Sequence, residues 1–278
     1  MSSNRHDPLF GAAPASVSLS RAPLVRVLAQ LAFSPIAKIG TPDIQVVAAF
    51  QDSIRSEFPR VEREDGQVFD FSMQGQEATF QATQSTIWRF FNSERTLRVT
   101  LTIDSLTLEA GSRLYPGKET FLNTFDMLTR ALHNSFDGVA NMALGYRYVS
   151  QCADTTVLDN LSSYIQDELV GVASASQEWR RPVTNTLSRV TADTDEGHAS
   201  WQWGLIPQGQ THDPLVMPPF DQQSWVLDID SRSQLGAASG DFSDTTSAMK
   251  ATADRAYAIF RWCVRPEFLK HYGATYDN

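Results

Sequence analysis

Cysteine is almost absent: Cys152 and Cys263 are the only two in 278 residues, far apart and in no metal-type spacing. That excludes a disulfide framework and a zinc knuckle, and it fits a reducing cytoplasm. Long apolar runs are missing as well. No stretch of roughly eighteen apolar residues occurs without a charge, and the opening MSSNRHDPLFGAAPASVSLS holds no continuous apolar segment. The sequence therefore predicts a chain that is neither exported nor membrane-spanning. Positive charge is in short supply too, with 23 Lys and Arg against 32 Asp and Glu and a net charge of −9. Such a balance disfavours adhesion to phosphate backbones and anionic lipid, so neither nucleic acid nor a membrane is the expected partner. The chain has no G-x-x-x-x-G-K-[ST], no G-x-G-x-x-G and no G-x-S-x-G. Phosphate-loop nucleotide binding and a serine elbow lose their signatures, and no cofactor is expected.

What is present reads as an α+β protein. Hydrophobic residues make up 42% of the chain and aromatics 10%, ample for a packed core. PLVRVLAQLAF (23–33) alternates, with Val25, Val27, Ala29, Leu31 and Phe33 on one face, which predicts a strand. TPDIQVVAAFQDSIRSEFP then predicts a helix of about four turns, with Thr41 as N-cap and Pro42 in the first turn. VFDFS, TFQATQSTIWRFF and RTLRVTLTIDSLTLEAG follow as antiparallel strands with one buried face. In GKETFLNTFDMLTRALHNSFDGV, Phe121, Phe125, Leu128, Leu132 and Phe136 form a helical stripe, and LGYRYVSQ is a further strand.

This order of strand, helix, strands, helix, strand matches a split, ferredoxin-like arrangement with helices on one face of an antiparallel sheet. The second half reads as a worn copy. SWVLDID corresponds to LRVTLTID, with Asp230 aligned to Asp104, and the helix TTSAMKATADRAYAIFRWCVRP follows. The expected division is a flexible arm over 1–20, a first α+β half over 21–151, a helical connection over 152–180 and a second half over 181–278. The arm assignment rests on its Ser, Ala and Pro content, too poor in apolar side chains to bury much.

PLVRVLAQLAF, WRFFNSE running into LRVTLTIDSLTLE, LGYRY after a long helix and LDID before a closing helix together resemble a sporadically distributed family of uncharacterised bacterial proteins. The match covers nearly the whole chain beyond the arm. The chain departs from the family pattern Gly-Leu-Arg-Tyr-x-Asn in having Gly145, Tyr146, Arg147, Tyr148, Val149 and Ser150. The resemblance implies a cytoplasmic bacterial protein of α+β fold and brings no activity with it. Members look like accessory or interaction proteins of the mobile gene pool.

Candidate residues fall into three groups. Asp228 and Asp230, two apart on a strand, share a face, and Asp104 joins them if the two copies pack together. Such an oxygen cluster suits a hard metal, although the same alternation with Leu227 and Ile229 is also that of a wet sheet face. Trp88 and Arg89, with Trp179 and Arg180, interleave aromatics and arginines as protein interfaces do, while tryptophans in strands are also ordinary core. Arg147 lies on the strand face opposite Tyr146 and Tyr148. It is expected to pair with a carboxylate on an adjacent strand, Asp104 or Glu109. The favoured reading is a non-enzymatic interaction protein, binding a protein partner or itself as a homo-oligomer, in a bacterial defence or toxin-neutralising context. The alternative is a metal-assisted hydrolase built on Asp104, Asp228 and Asp230.

Overall fold

The computed structural model describes residues 6–74, 77–111, 115–175, 183–235 and 242–276. The chain runs through β1 (Val17–Leu19), β2 (Leu24–Phe33), two 3₁₀ turns (Ala37–Gly40 and Ile44–Val47) and α1 (Ala48–Ile54). There follow β3 (Arg60–Gln74), β4 (Glu77–Phe91), β5 (Leu97–Leu101), β6 (Ser105–Gly111), α2 (Lys118–Ser135) and β7 (Asn141–Cys152). Three one-turn helices, α3 (Thr155–Leu158), α4 (Leu161–Tyr164) and α5 (Asp167–Val170), lead to β8 (Ser188–Thr194), β9 (Gly197–Ile206) and β10 (Ser224–Gln234). The chain closes with α6 (Phe242–Cys263), α7 (Pro266–His271) and β11 (Ala274–Tyr276). No helix among the described residues is long and apolar enough to cross a membrane.

Nine strands form a single antiparallel sheet in the order β3-β4-β5-β6-β2-β7-β10-β9-β8. Because alternate side chains leave a strand on opposite sides, the registers sort the sheet into two unlike faces. Val27, Ala29 and Leu31 of β2, Leu106 and Leu108 of β6, Tyr146 of β7 and Leu227 and Ile229 of β10 are buried on one face. That face meets the helices: Phe90 packs edge-on against Phe50 of α1, and Tyr146 against Phe121 of α2. Burying each of the valine, leucine, isoleucine and phenylalanine side chains contributes about 1.5 to 3 kcal/mol. The opposite face carries Arg98, Glu109, Arg26, Arg147, Asp228, Asp230 and Gln202 in successive strands. Part of it is roofed by the 207–223 loop, whose Met217 is buried on Val149, Ile206 and Val226.

The first helical region is shorter than the sequence pattern suggests. A 3₁₀ turn occupies Ile44–Val47, and only Ala48–Ile54 is α-helical. Asp43, rather than Thr41, caps it by accepting from the Gln45 amide, while the Thr41 hydroxyl turns back to the Lys38 carbonyl. The β-branched pair Val46–Val47 lowers helix propensity just where the regular helix would otherwise begin.

The strands of both expected halves join one sheet, and its order does not confirm duplicated ferredoxin-like halves. Nor do the strands ending near Asp104 and Asp230 hold equivalent places. β5 is followed by another strand, β6, whereas β10 runs on towards α6 with no strand between. The order nevertheless recurs about the central β2–β7 pair. Each of these strands is followed by short helices, then by a meander whose final strand returns beside the centre, then by a long helix. β7 thus opens the second series instead of closing the first.

The N-terminal segment also differs from expectation, because described residues of 6–21 lie along the body. Arg255 of α6, only 3% exposed, donates to the carbonyls of Pro8 and Gly11 and pairs with Glu196. Arg261 and Tyr257 donate to the Ala15 carbonyl, and β1 pairs with β11. Polar backbone, invisible to a hydrophobicity argument, supplies these attachments.

Candidate functional site

The polar face of the sheet converges on Arg147. Its strand neighbours are Gly145 and Val149, and the register sets it directly opposite Asp230 of β10 and Leu28 of β2. The guanidinium reaches diagonally to Asp228, Nε donating to Oδ1 at 2.8 Å and Nη2 to Oδ2 at 2.6 Å. The same Nη2 donates to Asp213 of the 207–223 loop at 2.8 Å. The acids expected as its partners are engaged elsewhere. Glu109 takes Arg26 and Arg98 from the two strands beside it, and Asp104 sits in the β5–β6 turn accepting from the Thr102 hydroxyl at 2.8 Å.

Asp228 is the hub of the cluster. It is 3% exposed and accepts, besides Arg147, the Nε2–H of His212 at 2.8 Å and the Gln202 amide at 3.1 Å. Burial alone pushes its pKa up, but the bonds from Arg147, His212 and Gln202 outweigh that and hold the carboxyl at about 2. The Arg147 guanidinium, opposed by its own desolvation, is raised by its two carboxylates and stays charged. The His212 side chain is fully buried, and its Nδ1 has no hydrogen-bond partner among the described residues. One strand position on, Asp230 is held by Arg232 at 2.7 Å. Across β9, Arg189 of β8 lies opposite Gln202, and these side chains enclose a cavity of about 320 Å³.

Asp104 does not join Asp228 and Asp230. Between β5 and β10 lie β6, β2 and β7, a span of roughly 19 Å at the usual strand spacing. No group of three His, Cys, Asp or Glu side chains among the described residues is placed to hold a metal. The Asp228–His212 pair orients an imidazole as a general base would be oriented, yet no serine, threonine or cysteine among the described residues is hydrogen-bonded to its free nitrogen.

Of the aromatic and arginine candidates, Trp88 is 2% exposed and donates through Nε1 to the Ile39 carbonyl at 2.9 Å, so it is core. Arg89 pairs with Glu64 at 2.7 Å on the polar face. Trp179 and Arg180 lie outside the described residues. The residues missed by sequence reasoning are His212 and Asp213. The signal that points to them is the length of the 207–223 loop, since connections of more than about 12 to 15 residues in a compact domain are usually functional. Compared with protein-family models and with curated proteins, the chain matches none.

Proposed function

We propose that the protein works by association, binding a protein partner or a second copy of itself, with the β3–β4 ribbon as its contact arm. The observation that carries this reading is the extent of that ribbon. β4 pairs with β5 only over Trp88–Phe91, while β3 and β4 continue to pair out to Gln74 opposite Glu77. From Gln67 opposite Gln84 outward, no other strand pairs with either edge among the described residues. An isolated two-stranded ribbon is marginal in water, and its free edges are a template for strand addition. A length of eight residues per strand, about 26 Å, is far more than a connecting turn needs.

The polar cluster supports the same reading from the other side. Asp228 is saturated with hydrogen bonds and held ionised, so it anchors the 207–223 loop and has no proton to give near neutral pH. A cytoplasmic bacterial setting, of a defence or toxin-neutralising kind, belongs to the proposal through the sequence resemblance alone.

Replacing residues 67–84 by an Asn-Gly turn between Gly66 and Ser85 tests it. Light scattering and cross-linking in the native cells are expected to show an assembly with the full chain and its loss in the shortened one, at an unchanged unfolding midpoint. A full chain that is monomeric at high micromolar concentration and cross-links to nothing overturns the reading. So does a shortened chain that assembles as before.

A further inference from the structure

The cavity above β8, β9 and β10 has about 320 Å³ and almost wholly polar walls, near the small end of ligand pockets. Its charge is unevenly divided. On the β7 side, the single guanidinium of Arg147 faces two carboxylates, Asp213 and Asp228, which leaves an excess of one negative charge there. His212, its Nε2 hydrogen-bonded to Asp228 at 2.8 Å, lies against that pole. On the β8 side, Arg189 makes no ion pair among the described residues, although its strand position is two strands from Asp228, about 10 Å away. Asp230 and Arg232 neutralise each other between the poles.

We propose that this cavity binds a small zwitterion of the free amino-acid class, with its ammonium on the part-exposed Asp213 and its carboxylate on Arg189. An ammonium placed there offsets the excess negative charge left by two carboxylates on one guanidinium. A plain anion would leave the negative pole unmatched, and a plain cation would leave Arg189 unmatched. Walls with so little apolar surface select polar or minimal side chains over large hydrophobic ones. The proposal is independent of the ribbon, which lies at the other end of the sheet.

The test uses the full chain, titrated with glycine, serine and glutamate, and with acetate and methylammonium as single-charge controls. The readout is the ring nitrogen resonances of His212, assigned with His212→Asn. At least one amino acid is expected to move them saturably, while acetate and methylammonium do not. Arg189→Ala should raise the Kd about tenfold, the loss expected for one charged hydrogen bond, and Arg189→Lys should restore part of it. Because Arg189 is exposed and pairs with nothing described, its variants should unfold at the wild-type temperature. No saturable shift with any amino acid, equal binding of acetate, or an Arg189→Ala variant that binds as the wild type each overturns the proposal.

Discussion

Replacing Arg147 by alanine strands a buried carboxylate, and the size of the effect follows from what remains around it. Asp228 is 3% exposed and loses its two bonds from the guanidinium, keeping those from His212 and Gln202. Breaking a buried ion pair from one side costs about 3 to 5 kcal/mol. The two surviving donors, and an Arg147 side chain that is itself 22% exposed, place the expectation at the lower end, about 3 kcal/mol. For 278 residues, an unfolding entropy of about 2.1 cal/mol/K per residue turns this into a fall of about 5 °C in Tm. Scanning calorimetry or urea unfolding reads it directly. The companion variant Asp228→Asn keeps the shape and removes the charge, so the double variant should be less unstable than the sum of the singles by about 1 to 2 kcal/mol. Arg147→Lys should recover only part of the loss, since an ammonium cannot span both oxygens. An Arg147→Ala chain that unfolds at the wild-type midpoint, or singles that add without coupling, would refute the reasoning.

Three further outcomes are expected. The pKa of Asp228 is depressed in the folded state, so its contribution is fully present above the unfolded carboxyl value near 4 and is lost as pH falls towards 2; a shift of nearly two units corresponds to about 2.5 kcal/mol, and Asp228→Asn should flatten that part of the stability profile. A Cβ at Gly204, where φ is +154°, would lie 1.8 Å from the Thr186 carbonyl oxygen, so Gly204→Ala should destabilise by more than about 2 kcal/mol in urea melts, and a neutral result would contradict the local backbone path. Arg255→Ala should release the N-terminal segment from α6, seen as new cleavage within residues 6–16 under limited proteolysis, and a protected N-terminus would show that β1 and Arg261 suffice to hold it.

The fold class was legible in this sequence because strands and helices announce themselves over short windows. Val27, Ala29 and Leu31 alternate and are buried together, and Phe121, Phe125, Leu128 and Leu132 form the buried stripe of α2. The same period of two places Arg147 and Tyr146 on opposite faces, as the register confirms. What stayed hidden depends on strand order. Arg147 finds Asp213 and Asp228, 66 and 81 residues further along the chain, and nothing local marks them as neighbours. Glu109 looked available because its two arginines come from the strands on either side of it, again a matter of sheet order. His212 sits in an irregular loop, where no periodicity signals burial. The docking of residues 6–16 draws largely on backbone groups, which every sequence carries alike, with His6 bonded to the Ala258 carbonyl and Leu9 packed on the core.

The central position of β7 has a bearing on how the chain is made on the ribosome. β2 and β6 are available early, and β7 can pair with β2 as soon as residue 152 has left the exit tunnel. Its other edge belongs to β10, which ends at Gln234, so 82 residues separate the completion of the two strands. At about 5 to 20 residues per second, the nascent chain spends roughly 4 to 16 s with that edge uncovered. During this interval the donors and acceptors destined for Trp225–Gln234 are open to any extended segment, including the β7 of a neighbouring chain on the same message. Translation speed between residues 152 and 234 therefore bears on the yield of correctly assembled protein, and codon choice in that stretch is a lever on it that leaves the amino-acid sequence untouched.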